Sequence, residues 1–424
     1  LNFLFTFVYM KWKLNLILLT LISSCVENEQ KINTVMDLEQ LQEGRWLMNF
    51  QLTPEQQLPV FFDLQKKNNQ IDVVFINGDE KVPEKNFVFK DNKFIAEDPV
   101  FNSWYEIEFI DNNHIKGNWF KDKADYKVPF TAVFADKNRF PNINNATEQV
   151  DVNGKWKVDF SAENPDQHYP AIGLFEQNGD KVTGTFITET GDYRFLEGNV
   201  YGNEVLLSCF DGSHAFLFKA ILENDSIKGQ FWSGLHWVEP WVGVRDNDYE
   251  LTHPDSLTFL KEGYDKVEFS FENIEGKTIS LTDERYKGKV VLVNIMGPWC
   301  PNCKDETAFL TELYERKKED GLEIIALSFD RTEDKEVAKK NIEKIKAHFN
   351  AQYEFLLAGK ASKIEAAKAL PMLNHIMSYP TTIFIDKQGK VRKIRTGFYG
   401  PSTGNYHIRY TESIYDFIDK LLEE

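Results

Sequence analysis

The sequence predicts a multidomain chain in which two tandem all-β modules, antiparallel barrels or sandwiches, precede one α/β domain. Three observations carry the prediction. A pattern of glycine and aromatic residues recurs about 110 positions later. The C-terminal part changes to strand–helix alternation. A Cys-x-x-Cys pair, Cys300 and Cys303, stands where an apolar strand gives way to a helix.

The repeat comes first. Gly44-Arg45-Trp46 returns as Gly154-Lys155-Trp156, Leu58-Pro59 as Tyr169-Pro170, and residues 71–76 align with 182–187. Residues 115–120, IKGNWF, align with 227–232, IKGQFW. The offset drifts from 110 to 112, as small loop insertions produce, and implies a tandem duplication. Short alternating runs are broken by turn pairs such as Asn77-Gly78, Asn178-Gly179 and Asp211-Gly212. The 34 Phe, 16 Tyr and 9 Trp suit such pleated surfaces. The copies are expected over 41–145 and 150–246, with residues 247–263 as a linker of little periodicity.

Charge excludes one class of partner. The 424 residues carry a net charge of -17, which argues against nucleic acid, because phosphate binding needs clustered Lys and Arg. Four cysteines, Cys25, Cys209, Cys300 and Cys303, are too few for a disulfide scaffold. Cys209, within an apolar run, is expected to be a buried core residue.

Residues 1–24 are expected to be an upstream extension and a signal peptide, with 25–40 as a linker. Lys11 and Lys13 precede an apolar run over 14–22 that is too short to span a bilayer. Ile22-Ser23-Ser24-Cys25 resembles a bacterial lipobox, which implies lipidation of Cys25 and a membrane anchor. The alternative is an ordinary secretory signal with an incidental cysteine.

One stretch of the second copy gathers Asp211, His214, His236, Glu239 and Trp241. A metal or ligand pocket is one reading; polar residues at strand ends are the favoured one. No HxH or HExxH spacing points to a metal, and neither metal nor cofactor is expected.

In the α/β part, residues 290–295 (VVLVNI) form a continuous apolar run, as a buried central strand requires. Trp299-Cys300-Pro301-Asn302-Cys303 follows, then a helix over 304–318, a second buried strand over 322–327 and a charged helix over 334–349. A strand over 382–385, a turn at Gln388-Gly389 and a closing helix over 413–422 complete the domain. Two cysteines at i and i+3 in a first helical turn share one face, close enough for a disulfide. The first meets the free N–H groups and the helix dipole, which stabilise a thiolate. Cys300 is therefore the expected nucleophile and Cys303 the resolving thiol.

The segment 264–424 resembles thioredoxin-like proteins, and specifically the extracytoplasmic TlpA/ResA-like branch. WCxxC after a buried strand, with Tyr379-Pro380-Thr381-Thr382 before a later one, carries the resemblance. It implies a Cys300–Cys303 disulfide in the oxidised state and a cis Pro380 beside the motif. It also implies a substrate-binding edge at Trp299, Tyr379 and Pro380, where an extended segment pairs. Cytoplasmic thioredoxins carry a buried acid where this chain has Asn294; the branch instead has an acid at the position of Glu306. Glu306 is thus a candidate proton carrier, its other reading being an ordinary first-turn acid. Ala308 stands where the branch often has Pro, and residues 350–378 exceed a minimal thioredoxin.

Other readings of the motif fail on single residues. A c-type haem needs His where Lys304 stands, structural zinc needs a second ligand pair, and a peroxiredoxin needs Thr where Gly297 stands. The expected activity is disulfide reduction in the bacterial cell envelope, on protein or small-molecule disulfides, fed by a membrane thiol donor. An oxidase or isomerase is the alternative. A scaffold lipoprotein whose β modules carry the function is the alternative of another class. The modules are expected to select the substrate or to hold the redox domain away from the membrane.

Overall fold

The structure is a computed structural model that describes residues 41–424 apart from 68–69, 85–86, 91–92, 135–137, 144–145 and 147. The expected signal peptide, Cys25 and the linker after it lie outside the described residues. No described helix is long and apolar enough to cross a membrane.

The two copies begin alike because the same pattern is buried in each. In Gly44–Gln51 the alternate residues Trp46, Met48 and Phe50 face inward; in Gly154–Phe160 they are Trp156, Val158 and Phe160. Trp46 Nε1 donates to the carbonyl of Gln42 at 3.1 Å, and Trp156 Nε1 to that of Val152 at 3.0 Å. Both strands open on a glycine with positive φ, 119° at Gly44 and 106° at Gly154, a conformation other residues rarely adopt.

Closure separates them. In the second copy Gly154–Phe160 pairs with both Tyr169–Asn178 and Trp237–Arg245, and neighbours pair all the way round. Eight antiparallel strands thus form a closed barrel, with the two-residue Gly191–Asp192 added beside Lys181–Thr188. The first copy is a nine-stranded antiparallel sheet whose ends are Glu80–Glu84 and Val88–Lys90, with no described pairing between them.

The side of the open copy is filled by the closed one. Phe210, at the end of the barrel strand Glu204–Phe210, is fully buried among first-copy aromatics. Its ring centroid lies 4.5 Å from Phe50, 4.9 Å from Phe75 and 5.0 Å from Trp119. Arg139 clasps the same seam. Its guanidinium donates to Ile76 O and Asn77 Oδ1 on one side and to Ser208 Oγ and Glu197 Oε2 on the other. The modules therefore share one core.

The C-terminal sheet has seven strands. Their order is Thr278–Ser280, Ser270–Asn273, Glu354–Lys360, Leu322–Asp330, Val290–Met296, Thr381–Ile385 and Val391–Thr396. Val290–Met296, buried throughout, is parallel to Leu322–Asp330 and antiparallel to Thr381–Ile385. Helices Pro301–Lys317, Lys335–Phe349, Lys363–Ala369 and Asn405–Glu423 complete the domain. The first starts before the expected 304, because Cys300 caps it and Pro301 fits its first position. The last starts before 413, because its buried stripe begins at Tyr410 and continues through Ile414, Ile418 and Leu421.

Residues 247–263 are pinned at both ends of their path. Tyr249 and Leu251 pack with barrel residues Ile172 and Ile187 and with Tyr399. Thr258 and Thr396 hydroxyls bond at 2.8 Å, and Leu260 bridges to Leu373.

If Phe210 joins the two modules, Phe210→Ala will lower the unfolding free energy by about 3–5 kcal/mol in urea titration. Val244→Ala, at an exposed barrel position, will change it by less than about 0.5 kcal/mol.

Candidate active site

The strand Val290–Met296 ends at Gly297-Pro298, and the chain turns when Cys300 N–H donates to Gly297 O at 3.0 Å. Lys304 N–H then bonds Cys300 O at 3.0 Å, the first helical bond. Cys300 Sγ accepts from the Cys303 N–H at 3.4 Å, so the first sulfur sits on the helix N-terminus. Both thiols are free. Cys300 keeps 8% of its surface and Cys303 none. Burial pushes the Cys303 thiol well up, and the adjacent Cys300 and the Glu306 charge add to it.

The remaining candidates surround this pair. The Tyr379–Pro380 peptide bond is cis, and Cys300 Sγ donates to Tyr379 O at 3.4 Å. Trp299 Nε1 donates to Phe329 O at 3.0 Å, its ring edge-on to Tyr379 at 5.7 Å, with the Arg331 guanidinium 4.2 Å over it.

Glu306 is 1% exposed, one turn beyond Cys303. Thr382 Oγ1 donates to its Oε1 at 2.9 Å, Asn294 Nδ2 donates to its Oε2, and Tyr410 OH approaches at 3.5 Å. Burial pushes this carboxyl up to about 7, against the Thr382 and Asn294 bonds that favour the anion. The ordinary first-turn acid is therefore not what stands here. Thr382 lay within the quoted proline motif; Tyr410 sits in the turn of helix left out of the expected boundary.

Sequence reasoning missed the walls. Both β modules reach the motif, which a spacer role does not require. From the first, Val100 and Phe101 pack in the same cluster as Cys300 and Cys303, and Lys304 Nζ lies 5.3 Å from the Phe101 ring. Asp98 Oδ1 holds that turn by accepting from both backbone N–H groups, at 2.7 and 2.6 Å. From the barrel, Thr190 O accepts from Ser378 Oγ at 2.9 Å, and Asp192 Oδ2 from Gly400 N at 2.7 Å. Gly191 permits the approach: a Cβ there would lie 1.8 Å from Asn302 Nδ2. These contacts span more than a hundred residues, so no local pattern announces them.

Of the polar stretch in the second copy, Trp241 is core, and His214 pairs through Nδ1 with Asp211 Oδ2 at 3.1 Å. His214 and Glu239 line one cavity beside the motif; His236 is exposed and stacks edge-on to Tyr126.

A mixed sheet bearing a strand–Cys-x-x-Cys–helix turn against a cis proline is the thioredoxin-like arrangement. Residues 263–394 match the AhpC/TSA family. The thiol-disulfide oxidoreductase ResA of Geobacillus thermodenitrificans is 32% identical over 140 residues, 33% of this chain and 72% of that protein. ResA of Bacillus thuringiensis subsp. konkukian is 35% identical over 132 residues, 31% of this chain and 68% of its own. ResA of Bacillus subtilis is 31% identical over 138 residues, 32% and 69% of the two chains. A solved thioredoxin family protein from Chlorobium tepidum, a thiol:disulfide interchange protein, aligns with 38% of this chain and 98% of its own. That alignment has 18% identity and a TM-score of 0.30. The chain belongs to the ResA thiol–disulfide oxidoreductase family, and its enzyme class is thiol–disulfide oxidoreductase. The AhpC/TSA match takes in neither β module.

A carboxyl whose pKa rises on folding binds its proton more tightly in the folded state. Its stabilising contribution is whole below the unfolded value, 4.5, and is lost as pH climbs through about 7. The stability gap between wild type and Glu306→Gln will therefore shift by about 3 kcal/mol between pH 4.5 and 8, wild type losing ground at high pH. Urea titrations at both pH values measure it; a gap independent of pH would refute a raised Glu306.

Proposed function

We propose that Cys300 is the attacking and Cys303 the resolving thiol of a disulfide reductase that works outside the cytoplasm, held to a membrane by lipid on Cys25. The observation that carries the redox reading is the placement of Cys300. Its sulfur lies on the helix N-terminus, 3.4 Å from the carbonyl before the cis proline, while Cys303 is enclosed behind it.

The exchange balances as follows. The Cys300 thiolate attacks one sulfur of a substrate disulfide; that S–S bond breaks, and the leaving sulfur takes a proton. Cys303 loses its proton to Glu306 and attacks Cys300 Sγ. The mixed disulfide breaks, the second substrate thiol leaves protonated, and a Cys300–Cys303 disulfide forms. Two electrons and two protons have passed to the substrate. A dithiol donor, on this reading membrane-bound, returns them. A carboxyl near pH 7 is ionised in part at neutral pH, so it can take a proton and return it.

Direction follows from thiolate stability. A strong oxidant needs an exceptionally stabilised thiolate. Here burial and the Glu306 charge raise the Cys303 thiol, and the Lys304 charge lies near buried Asp98 and Glu84. The raised Cys303 thiol supports a reductant, while the helix N-terminus at Cys300 works the other way.

Cys303→Ala is expected to accumulate mixed disulfides through Cys300, seen as adducts by mass spectrometry and released by dithiothreitol, whereas Cys300→Ala traps none. Titration of the wild type against glutathione is expected to give a potential clearly below that couple; a value at or above it overturns the reductase direction. Cys25→Ser is expected to release the protein from membranes, and unchanged attachment would remove the lipid assignment.

A further inference from the structure

The mouth of the closed barrel opens beside the redox motif. A cavity of about 510 Å3 lies there, a size suited to holding a side chain or small ligand. Barrel residues line most of it, and Asn302 and Met377 close the side facing the redox domain. Asn302 sits between the two cysteines, and Met377 precedes Pro380 by three residues. Whatever fills this cavity touches the motif itself.

The chemistry of the wall is specific. At its base Glu239 is 3% exposed. Its Oε2 accepts from Ser161 Oγ at 2.9 Å and its Oε1 from Tyr169 OH at 2.6 Å. Because that hydroxyl has one hydrogen, Tyr193 OH must be the donor in the 2.6 Å bond between the two tyrosines. The carboxylate thus has two neutral donors and no cationic partner among the described residues. Glu189, also lining the cavity, has no ion pair there either. Aromatic rings supply the sides: Phe231 packs edge to face on Tyr193 and Phe216, at 5.1 and 5.3 Å, and Trp237 stands at the rim, 46% exposed. Burial keeps the His214 imidazole below its ordinary pKa, so it adds no competing charge near neutral pH. Asn302 Oδ1 is buried with no hydrogen-bond partner.

We propose that this cavity is a specificity pocket that receives the basic side chain, arginine or lysine, of a polypeptide whose disulfide is presented to Cys300. The proposal rests on the thiol–disulfide reading of the cysteine pair and leaves the exchange steps unchanged. An anionic group would meet Glu239 and Glu189. An apolar one would bury Glu239 further without a counter-charge, which is costly. A guanidinium or ammonium carries only donors, which suits the carboxylates. Its cation lies favourably over the aromatic faces.

The test uses the full chain. Disulfide-bonded peptides that differ in one residue beside the cysteine (Arg, Lys, Leu or Glu) are reduced, and kcat/KM is compared. Arg and Lys peptides are expected to exceed the Glu peptide by roughly tenfold. That ratio is expected to drop to about threefold or less in Glu239→Gln and, separately, in Trp237→Ala. Trp237 is at the surface, so its variant keeps the test alive if Glu239→Gln fails to fold. Equal rates, a preference for Leu or Glu, or a ratio unchanged in the folded variants overturns the pocket. Failure to exchange with any peptide sinks the redox reading instead. The pocket is then decided by calorimetric titration of cysteine-free Arg and Glu peptides, and an Arg peptide that binds no tighter than its Glu counterpart overturns it.

Discussion

One buried guanidinium ties the molecule together. The Arg194 side chain is 4% exposed, with partners in three parts of the chain: Glu80 in the first module, Asp211 in the barrel and Asp305 in the helix that carries the cysteines. Burial alone would lower its pKa, yet the surrounding carboxylates outweigh that and hold it firmly charged. The carboxylates depend on it in turn, because a buried anion without its cation costs several kcal/mol. Arg194 adopts φ of 63°, a conformation that residues other than glycine seldom adopt. The network over-determines the backbone there. The orientation of the redox helix is thereby coupled to both β modules, and moving either one away would leave buried charge unpaired.

That coupling changes what the cysteine pair presents to a substrate. Val100 and Phe101 close one side of the motif and the barrel segment from Thr190 to Asp192 closes another. Cys300 is left with 8% of its surface. Residues that the modules contribute therefore stand beside its approach. The modules contribute residues at the motif itself, contacts that a role as spacer does not require. Loops mounted on rigid sheets are suited to selecting substrates, because the scaffold fixes them while their side chains remain free to vary.

What the sequence made legible was local or periodic. The continuous apolar run ending at Met296 and the i, i+3 cysteines announce a strand, a turn and a helix within fifteen residues. The repeated Gly-x-Trp and Ile-Lys-Gly segments mark equivalent strands, as the matching Trp46 and Trp156 hydrogen bonds bear out. Glu306 was visible through its spacing from Cys303, but its partners Thr382 and Tyr410 come from a later strand and the last helix. Arg194, Asp305 and Glu80 were silent, because each is an ordinary charged residue in its own neighbourhood. Their meaning arises only where three segments converge. Glu239 and His214 read as strand-end residues in the sequence; only barrel closure places them on one cavity with Asn302.

The difference between the two copies explains why the cavity lies where it does. An eight-stranded barrel is just wide enough for its own side chains to fill. In the closed copy Phe186, Phe218 and Trp241, all fully buried or nearly so, occupy the bore. The bore is thus packed with aromatic side chains, and the cavity lined by Glu239 and Asn302 lies at its mouth. In the open copy Phe210 fills the gap and joins the core, and an apolar cavity lined by Phe62, Phe75 and Ile107 remains inside it. The Arg194 network then sets the end of the barrel that holds Glu239 against the helix that holds Cys300, which is the arrangement an enzyme needs if recognition and exchange are to act on the same stretch of substrate.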